Sequence, residues 1–107
     1  MNIITNDLIK CKDALRFLER VFDPEIGLNV VDLGLIYEIS FNEEENKATC
    51  SMTLTTQFCP MGESIVENVR IALQSAYSNS LIEVKLCFQP PWNYDRISES
   101  GRIFLNR

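Results

Sequence analysis

The stretch from residue 48 to residue 64 constrains the fold most, because its pattern changes there from that of a strand to that of a helix. Apolar residues alternate with Thr and Ser from 48 to 55, which is the period of a strand with one buried face. After a short polar link, Cys59-Pro60 opens a pattern with helical spacing. Proline is favoured in the first helical turn, since its missing N–H would have no partner there. A strand therefore leads directly into a helix, with Cys59 at or near the helix N-terminus.

Cys59 is the first candidate site residue. A cysteine at a helix N-terminus lies beside unpaired backbone N–H groups and the positive end of the helix dipole, which favours the thiolate. The thiolate is the form that attacks electrophiles and binds metals. The structural alternative is a small residue at a buried turn.

The remaining periodicity predicts a fold of two layers. The predicted elements are a first helix over 5–22, a strand over 30–41, a hairpin turn at 42–47, a second helix to about residue 77, and a strand over 82–88. Gly34 indicates a bulge or a close backbone approach. We expect an α/β (α+β) fold in a single domain of residues 1–107, with a small mixed three-stranded sheet and the helices on one face. The order is α-β-β-α-β plus a proline-rich C-terminal tail, which begins because prolines cannot continue a central strand.

The chain has no histidine and four cysteines. Without histidine, Ser-His-Asp and Cys-His catalysis and two-histidine zinc sites are excluded within this chain. The cysteines at 11, 50, 59 and 87 are far apart, so they lack the local spacing of a zinc ribbon or a complete iron–sulfur site. Cys11 falls on the apolar stripe of the first helix and is predicted to be core. Cys87 falls on the strand face opposite the apolar set.

Charge and hydropathy exclude several partners. The net charge is −5, and the Lys and Arg residues are scattered rather than clustered, which argues against a nucleic-acid surface. The N-terminal residues lack a secretory apolar core, and no apolar run approaches membrane-spanning length. We therefore expect a cytoplasmic protein with reduced thiols and no nucleic-acid or membrane partner.

Two further segments supply candidate site residues. Asp23-Pro24-Glu25 ends the first helix, because the residue before proline is disfavoured in the helical region. Its carboxylates either serve the helix-terminating turn or face a pocket shared with Cys59. Trp92 follows two prolines and either anchors the tail or forms the wall of a pocket, with anchoring the preferred interpretation.

Four ordered motifs resemble the iron–sulfur cluster assembly domain of the SufT and PaaD-like proteins. They are Asp23-Pro24-Glu25, Val-Val-Asp-Leu-Gly-Leu-Ile-Tyr at 30–37, Met-Thr-Leu-Thr at 52–55 leading to Cys59-Pro60, and Pro-Pro-Trp at 90–92. The resemblance spans nearly the whole chain. It implies a two-layer α/β domain with a small sheet. It also implies a role in maturing iron–sulfur proteins or in assembling a metal-containing oxygenase.

The resemblance also implies a functional pocket or partner surface. Its residues would be Asp23, Glu25, Thr55, Cys59 and Trp92, with Cys59 as a metal ligand. One cysteine cannot supply the roughly four ligands of a cluster. An iron–sulfur cluster or iron would therefore be held transiently, shared across a homodimer or with a partner. The implied partners are iron–sulfur scaffold or carrier proteins and client apoproteins.

Three functions are compatible with these residues. The leading one is a non-enzymatic maturation factor that assists delivery of clusters or metal to apoproteins. The second is a thiol enzyme with Cys59 as nucleophile, which would depend on the helix dipole or an arginine for activation. The third is a metal-free interaction module, for example for assembly of a metal-containing oxygenase, in which Cys59 is structural.

Overall fold

The computed structural model describes residues 3–56 and 62–106. Its elements are β1 (Ile4–Thr5), α1 (Leu8–Leu18), β2 (Ile36–Asn42), β3 (Lys47–Met52), α2 (Gly62–Ala76), β4 (Leu81–Leu86) and α3 (Glu99–Leu105), with a 3-10 turn at Tyr94–Arg96. The predicted N-terminal position of Cys59 on the second helix lies outside the described residues. No described helix combines the length and the apolar character needed to cross a bilayer.

The four strands form one mixed sheet in the order β1-β2-β3-β4. β2 and β3 are the antiparallel arms of the predicted hairpin, while β1 runs parallel to β2 and β4 runs parallel to β3. The predicted α/β fold is confirmed. The predicted count of three strands was wrong by one, because β1 has only two residues and so shows no alternation.

The first helix is shorter at both ends than the predicted range of 5–22. Thr5 belongs to β1 and pairs with Ile39, so the helix begins only after Asp7, whose side chain accepts the N–H of Lys10 at 3.1 Å. At the other end, Phe22 forms an isolated bridge with Asn29. Sheet pairing therefore limits the helix at its start, and a turn leading to this isolated bridge follows its end.

One continuous core joins the inner face of the sheet to α1 and α2. Alternate residues of β3 are buried, as its pattern predicted, and they meet buried residues of both helices. The buried hydrophobic side chains in these elements are Cys11, Ala14, Leu18, Ala48, Cys50, Met52, Ile65, Val69 and Leu73. The predicted stripe of the second helix is confirmed at 65, 69 and 73, whereas Ala72 and Ala76 are half-buried.

The strand β2 departs from the predicted range and alternation. It begins at Ile36 rather than at residue 30, and the register against β3 shifts between Ile36 and Glu38. This bulge buries Ile36 and Ile39 together, so the predicted set of Leu35, Tyr37, Ile39 and Phe41 does not share one face. Gly34 lies before the bulge rather than in it. Of its two predicted roles it has the other, because the backbone of Arg96 lies close against it.

The C-terminal tail crosses the other face of the sheet. Cys87 lies on this face, opposite the apolar set, as predicted. It is half-buried and lines a cavity of about 310 Å³ together with Gln89, Pro90 and Arg96. The helical turn predicted at 98–101 is the start of the longer helix α3. Ser98 caps that helix by accepting the N–H of Gly101 at 3.0 Å.

Candidate functional site

Two adjoining grooves lie beside the residues that flank the Cys59 segment in the chain. The first, here called the tryptophan groove, has a volume of about 300 Å³ and is lined by Thr55, Thr56, Gln89 and Trp92. The second, here called the apolar groove, has a volume of about 500 Å³. Gly62, Val66, Arg70, Val84 and Leu86 are among the residues that line it. Leu54 and Phe88 line both grooves. The chain therefore enters the 57–61 segment from one groove and leaves it into the other.

Of the predicted site residues, the structure brings Thr55 and Trp92 together in the tryptophan groove. Asp23 and Glu25 line neither groove within the described part of the chain. The Asp23 side chain is 3% exposed, and its Oδ1 accepts the N–H groups of Glu25 at 2.8 Å and Ile26 at 3.1 Å. These two bonds give Asp23 the turn role that was one of its two interpretations.

Trp92 fastens the tail as well as lining a groove. Its Nε1–H donates to the backbone oxygen of Leu33 at 2.6 Å, across 59 positions of sequence. The same ring is half-buried and forms one wall of the tryptophan groove. The shape of that groove therefore depends on where the 32–35 segment holds the tail.

Residues that position this wall were missed from the sequence. Asp32 accepts a hydrogen bond from the Ser98 hydroxyl at 2.8 Å through Oδ1, and from the Asn29 amide at 2.7 Å through Oδ2. Arg96 donates to the backbone oxygen of Gly34 at 3.1 Å and stacks 4.1 Å from the centre of the Tyr37 ring. The Val-Asp-Leu-Gly motif was visible, but its partners lie 62 and 66 residues away, where no local pattern connects them.

The tail is thus held at four points along its length. Besides the contacts of Trp92, Arg96 and Ser98, the hydroxyl of Tyr37 donates to the backbone oxygen of Pro90 at 2.6 Å. A cavity of about 370 Å³ between the 31–36 segment and residues 95–99 contains none of the predicted site residues. We interpret the four contacts that hold the tail as the support of the tryptophan groove.

Two of the described cysteines, Cys11 and Cys50, are buried thiols with raised pKa values. Cys50 has no exposed surface, and burial raises its pKa to about 12, with the nearby Cys11 thiol adding to the effect. Burial also raises the pKa of Cys11, against a smaller lowering by a hydrogen bond with Thr5. The Cys87 thiol donates to the backbone oxygen of Gln89 at 2.8 Å. No group of three or more metal-ligating side chains occurs among residues 3–56 and 62–106.

We expect native Cys50 to resist iodoacetamide from pH 7 to pH 9 and to react readily in urea, because alkylation requires the thiolate. The unfolded thiol ionises near its ordinary pKa of 9.0, whereas the folded one ionises only near 12. The stability contributed by the neutral thiol is therefore lost as pH rises above 9. Peptide mass mapping measures the modification. Equal rates in the native and unfolded protein would contradict the buried position.

Replacing Trp92 with phenylalanine should lower the free energy of unfolding by about 1–3 kcal/mol, since the carbonyl of the fully buried Leu33 would lose its donor. Urea melts followed by circular dichroism measure this change. Tyr94→Phe is the matched control, because that ring is 50% exposed and keeps its contact with Arg102. Equal losses in the two variants would show that the indole donor contributes nothing specific.

Comparison with solved structures shows that the whole chain has the fold of a known class of small two-layer α/β domains. A domain of unknown function from Bacillus anthracis superposes with a TM-score of 0.83 at 36% identity, covering 92% of each chain. A conserved hypothetical protein from Thermotoga maritima superposes with a TM-score of 0.75 at 33% identity, covering 100% of this chain and 99% of the other.

The sequence comparisons then give the family. A family model described as iron–sulfur cluster assembly protein matches residues 12–84, and the chain belongs to that family. The Fe-S protein maturation auxiliary factor of Porphyromonas gingivalis is 39% identical over 94 residues, covering 88% of this chain and 89% of that protein. SufT of Staphylococcus aureus, which bears the same description, is 38% identical over 85 residues, covering 79% and 96%. The predicted identity as an iron–sulfur cluster assembly or maturation factor is confirmed.

Proposed function

We propose that this chain acts without catalysis, as an auxiliary factor that passes iron–sulfur clusters or iron to apoproteins, with Cys59 as its metal ligand. The observation that carries the proposal is the position of the flanking residues. Thr55 and Thr56 lie in the tryptophan groove and Gly62 lies in the apolar groove, so both ends of the Cys59 segment lie beside concave surface. The buried thiols of Cys11 and Cys50 leave few other soft ligands for a metal.

The cluster is cargo in this proposal rather than a resident cofactor. One chain offers Cys59 as its proposed soft ligand, and a cluster requires about four ligands. The missing ligands would come from a second copy or from a partner, so the cluster is held transiently and shared. In the acidic loop, Asp23 is occupied by turn N–H groups, whereas Glu25 is exposed and is the carboxylate available to a partner or to iron.

The partners proposed are iron–sulfur scaffold or carrier proteins on one side and client apoproteins on the other. The tryptophan groove, which contains Thr55 and Trp92, would form part of the surface that these proteins contact. The whole chain, residues 1–107, would work as one domain in the cytoplasm, where thiols stay reduced.

Cys59→Ser tests the proposal. Serine is a good N-cap, so the stability measured in urea should change by less than about 1 kcal/mol. Delivery to a client should fall at least about tenfold, because even outer-shell partners of metal ligands are worth about 10–100-fold. The measurement is client iron–sulfur enzyme activity in cells that lack the wild-type chain. Cys87→Ser is the matched control and should support full activity.

Two results would contradict the proposal. Full complementation by Cys59→Ser would make Cys59 a structural residue of an interaction module. Many turnovers of a covalent reaction by a substoichiometric amount of the chain, lost in Cys59→Ser, would instead favour a thiol enzyme.

A further inference from the structure

The outer edge of β4 offers backbone groups for pairing. β4 is the last strand of the sheet, has six residues, and pairs with β3 in one unbroken register. The opposite edge is blunted by β1, which has only two residues. An edge strand without a bulge or proline is a template for another strand, and β4 has neither.

The direction of the backbone groups defines which residues can pair. The N–H groups of Leu81 and Cys87 donate inward, to Asn46 and Met52 beside β3. Because these directions alternate along a strand, Ile82, Val84 and Leu86 direct their N–H and C=O groups to the outer edge. No described residue accepts from or donates to these outward groups.

We propose that β4 pairs antiparallel with β4 of a second copy of this chain, about a two-fold axis at Val84. The two four-stranded sheets then form one sheet of eight strands, with α1 and α2 of both copies on the same face. Val84 lies opposite the partner's Val84, and Ile82 lies opposite the partner's Leu86. All of these are residues with outward backbone groups, so each pair can exchange both hydrogen bonds.

Charge complementarity selects this register and this partner. Glu83 falls directly opposite the partner's Lys85, and the symmetry repeats that pair. Within its own chain Glu83 already contacts Lys47 at 3.1 Å and Lys85 at 3.8 Å, so the partner's Lys85 adds to an existing cluster of opposite charges. The next registers allowed by the backbone are displaced by two residues. One places Glu83 against the partner's Glu83, and the other places Lys85 against the partner's Lys85. Like charges directly opposite each other destabilise a strand pair, so the sequence of β4 is complementary to itself in one register.

The apolar face of β4 fits the same arrangement. Leu86 is 47% exposed and lines the apolar groove with Val84. In the pair Leu86 lies opposite the partner's Ile82. Since Ile82 is already only 8% exposed in its own chain, the added apolar burial comes from Leu86. The inference does not depend on the proposed role of Cys59, because none of these contacts involves that residue.

Charge exchange tests the register in solution. Lys85→Glu places like charges opposite each other twice and should weaken the dimer at least about tenfold in sedimentation equilibrium. The double variant Glu83→Lys with Lys85→Glu restores opposite charges across the axis and should recover dimerisation. Because Glu83→Lys also removes the ion pair with Lys47 in the same chain, circular dichroism checks that the double variant is folded. Equal dimerisation of all three proteins, or a wild-type chain that is monomeric at millimolar concentration, would overturn the proposal.

A backbone test is independent of charge. Val84→Pro removes an outward N–H while leaving the bonds to β3, so the monomer should fold and the dimer should be lost. Circular dichroism checks the fold. A dimer that persists in a folded Val84→Pro variant would place the interface elsewhere.

Cross-linking tests the axis directly, in a Cys59→Ser, Cys87→Ser background. Val84→Cys should form a disulfide-linked dimer on oxidation, because the two residues meet at the axis within bridging distance. Leu86→Cys is the matched control, since the two copies of residue 86 would lie about 14 Å apart at roughly 3.4 Å per residue. Faster cross-linking through Leu86→Cys than through Val84→Cys would overturn the register.

Discussion

Gly34→Ala should lower the free energy of unfolding by about 2–5 kcal/mol, one of the two largest effects expected in this chain. Gly34 has φ of +76°, in the left-handed region that residues with a Cβ disfavour. An added Cβ would also overlap the backbone oxygen of Arg96 and lie 2.7 Å from the Arg96 Cβ. The 32–35 segment and the tail would have to separate, and the bond between Trp92 and Leu33 would weaken with them. Urea melts measure the loss, and the fluorescence of Trp92, the one tryptophan in the sequence, reports the tail.

Gly27→Ala separates the two causes of that loss. Gly27 has φ of +81°, yet the nearest atom to an added Cβ is the Cζ of Phe104 at 3.9 Å, an ordinary contact. Its cost should be the backbone term alone, about 1–2 kcal/mol. The difference between the two variants in the free energy of unfolding measures the steric cost of the close contact with Arg96. Equal losses in the free energy of unfolding would show that the tail moves away from residue 34 at no measurable cost.

Leu73→Ala should lower the free energy of unfolding by about 2–5 kcal/mol, through lost burial and a cavity that closes only in part. Leu73 is fully buried on α2, in the core shared with α1 and the sheet. That loss is a large share of the roughly 5–15 kcal/mol stability of a typical domain. Chemical denaturation of the purified variant measures it.

Ile71→Ala is the matched control on the same helix. Ile71 is 50% exposed, so shortening it should cost less than about 1 kcal/mol. Client enzyme activity should fall in Leu73→Ala in proportion to the loss of folded protein, whereas Ile71→Ala should retain it. A Leu73→Ala variant as stable as Ile71→Ala would contradict the assignment of this core.

Local patterns predicted those parts of the fold that form by short-range rules. The alternation in β3, the buried stripe of α2 and the charged hairpin tip at 43–46 all follow from periodicity and turn composition. The family resemblance was also readable, because its four motifs occur in order. β1 was missed because it has two residues, and the alternation of β2 was misread because the bulge after Ile36 shifts its faces.

For the candidate site, sequence reasoning selected the segments but not their contacts. Thr55 and Trp92 do share a groove. The role of Asp23 depended on which N–H groups its carboxylate reached, and these belong to its own turn. Cys59 and Pro60 lie outside the described residues, so the predicted ligand role of Cys59 stays a proposal.

The sequence by itself determined the α/β class, the hairpin, the core stripe of α2 and membership of the iron–sulfur assembly family, because these depend on periodicity and on motifs of neighbouring residues. Only the tertiary structure decided which residues hold the groove wall. A hydrogen bond joins Asp32 to Ser98, and a close backbone approach joins Gly34 to Arg96. Each pair is separated by more than sixty positions in the sequence. Such pairs form because compaction brings two segments together and buried polar groups must then find partners. A local pattern carries no record of which distant segment will supply them.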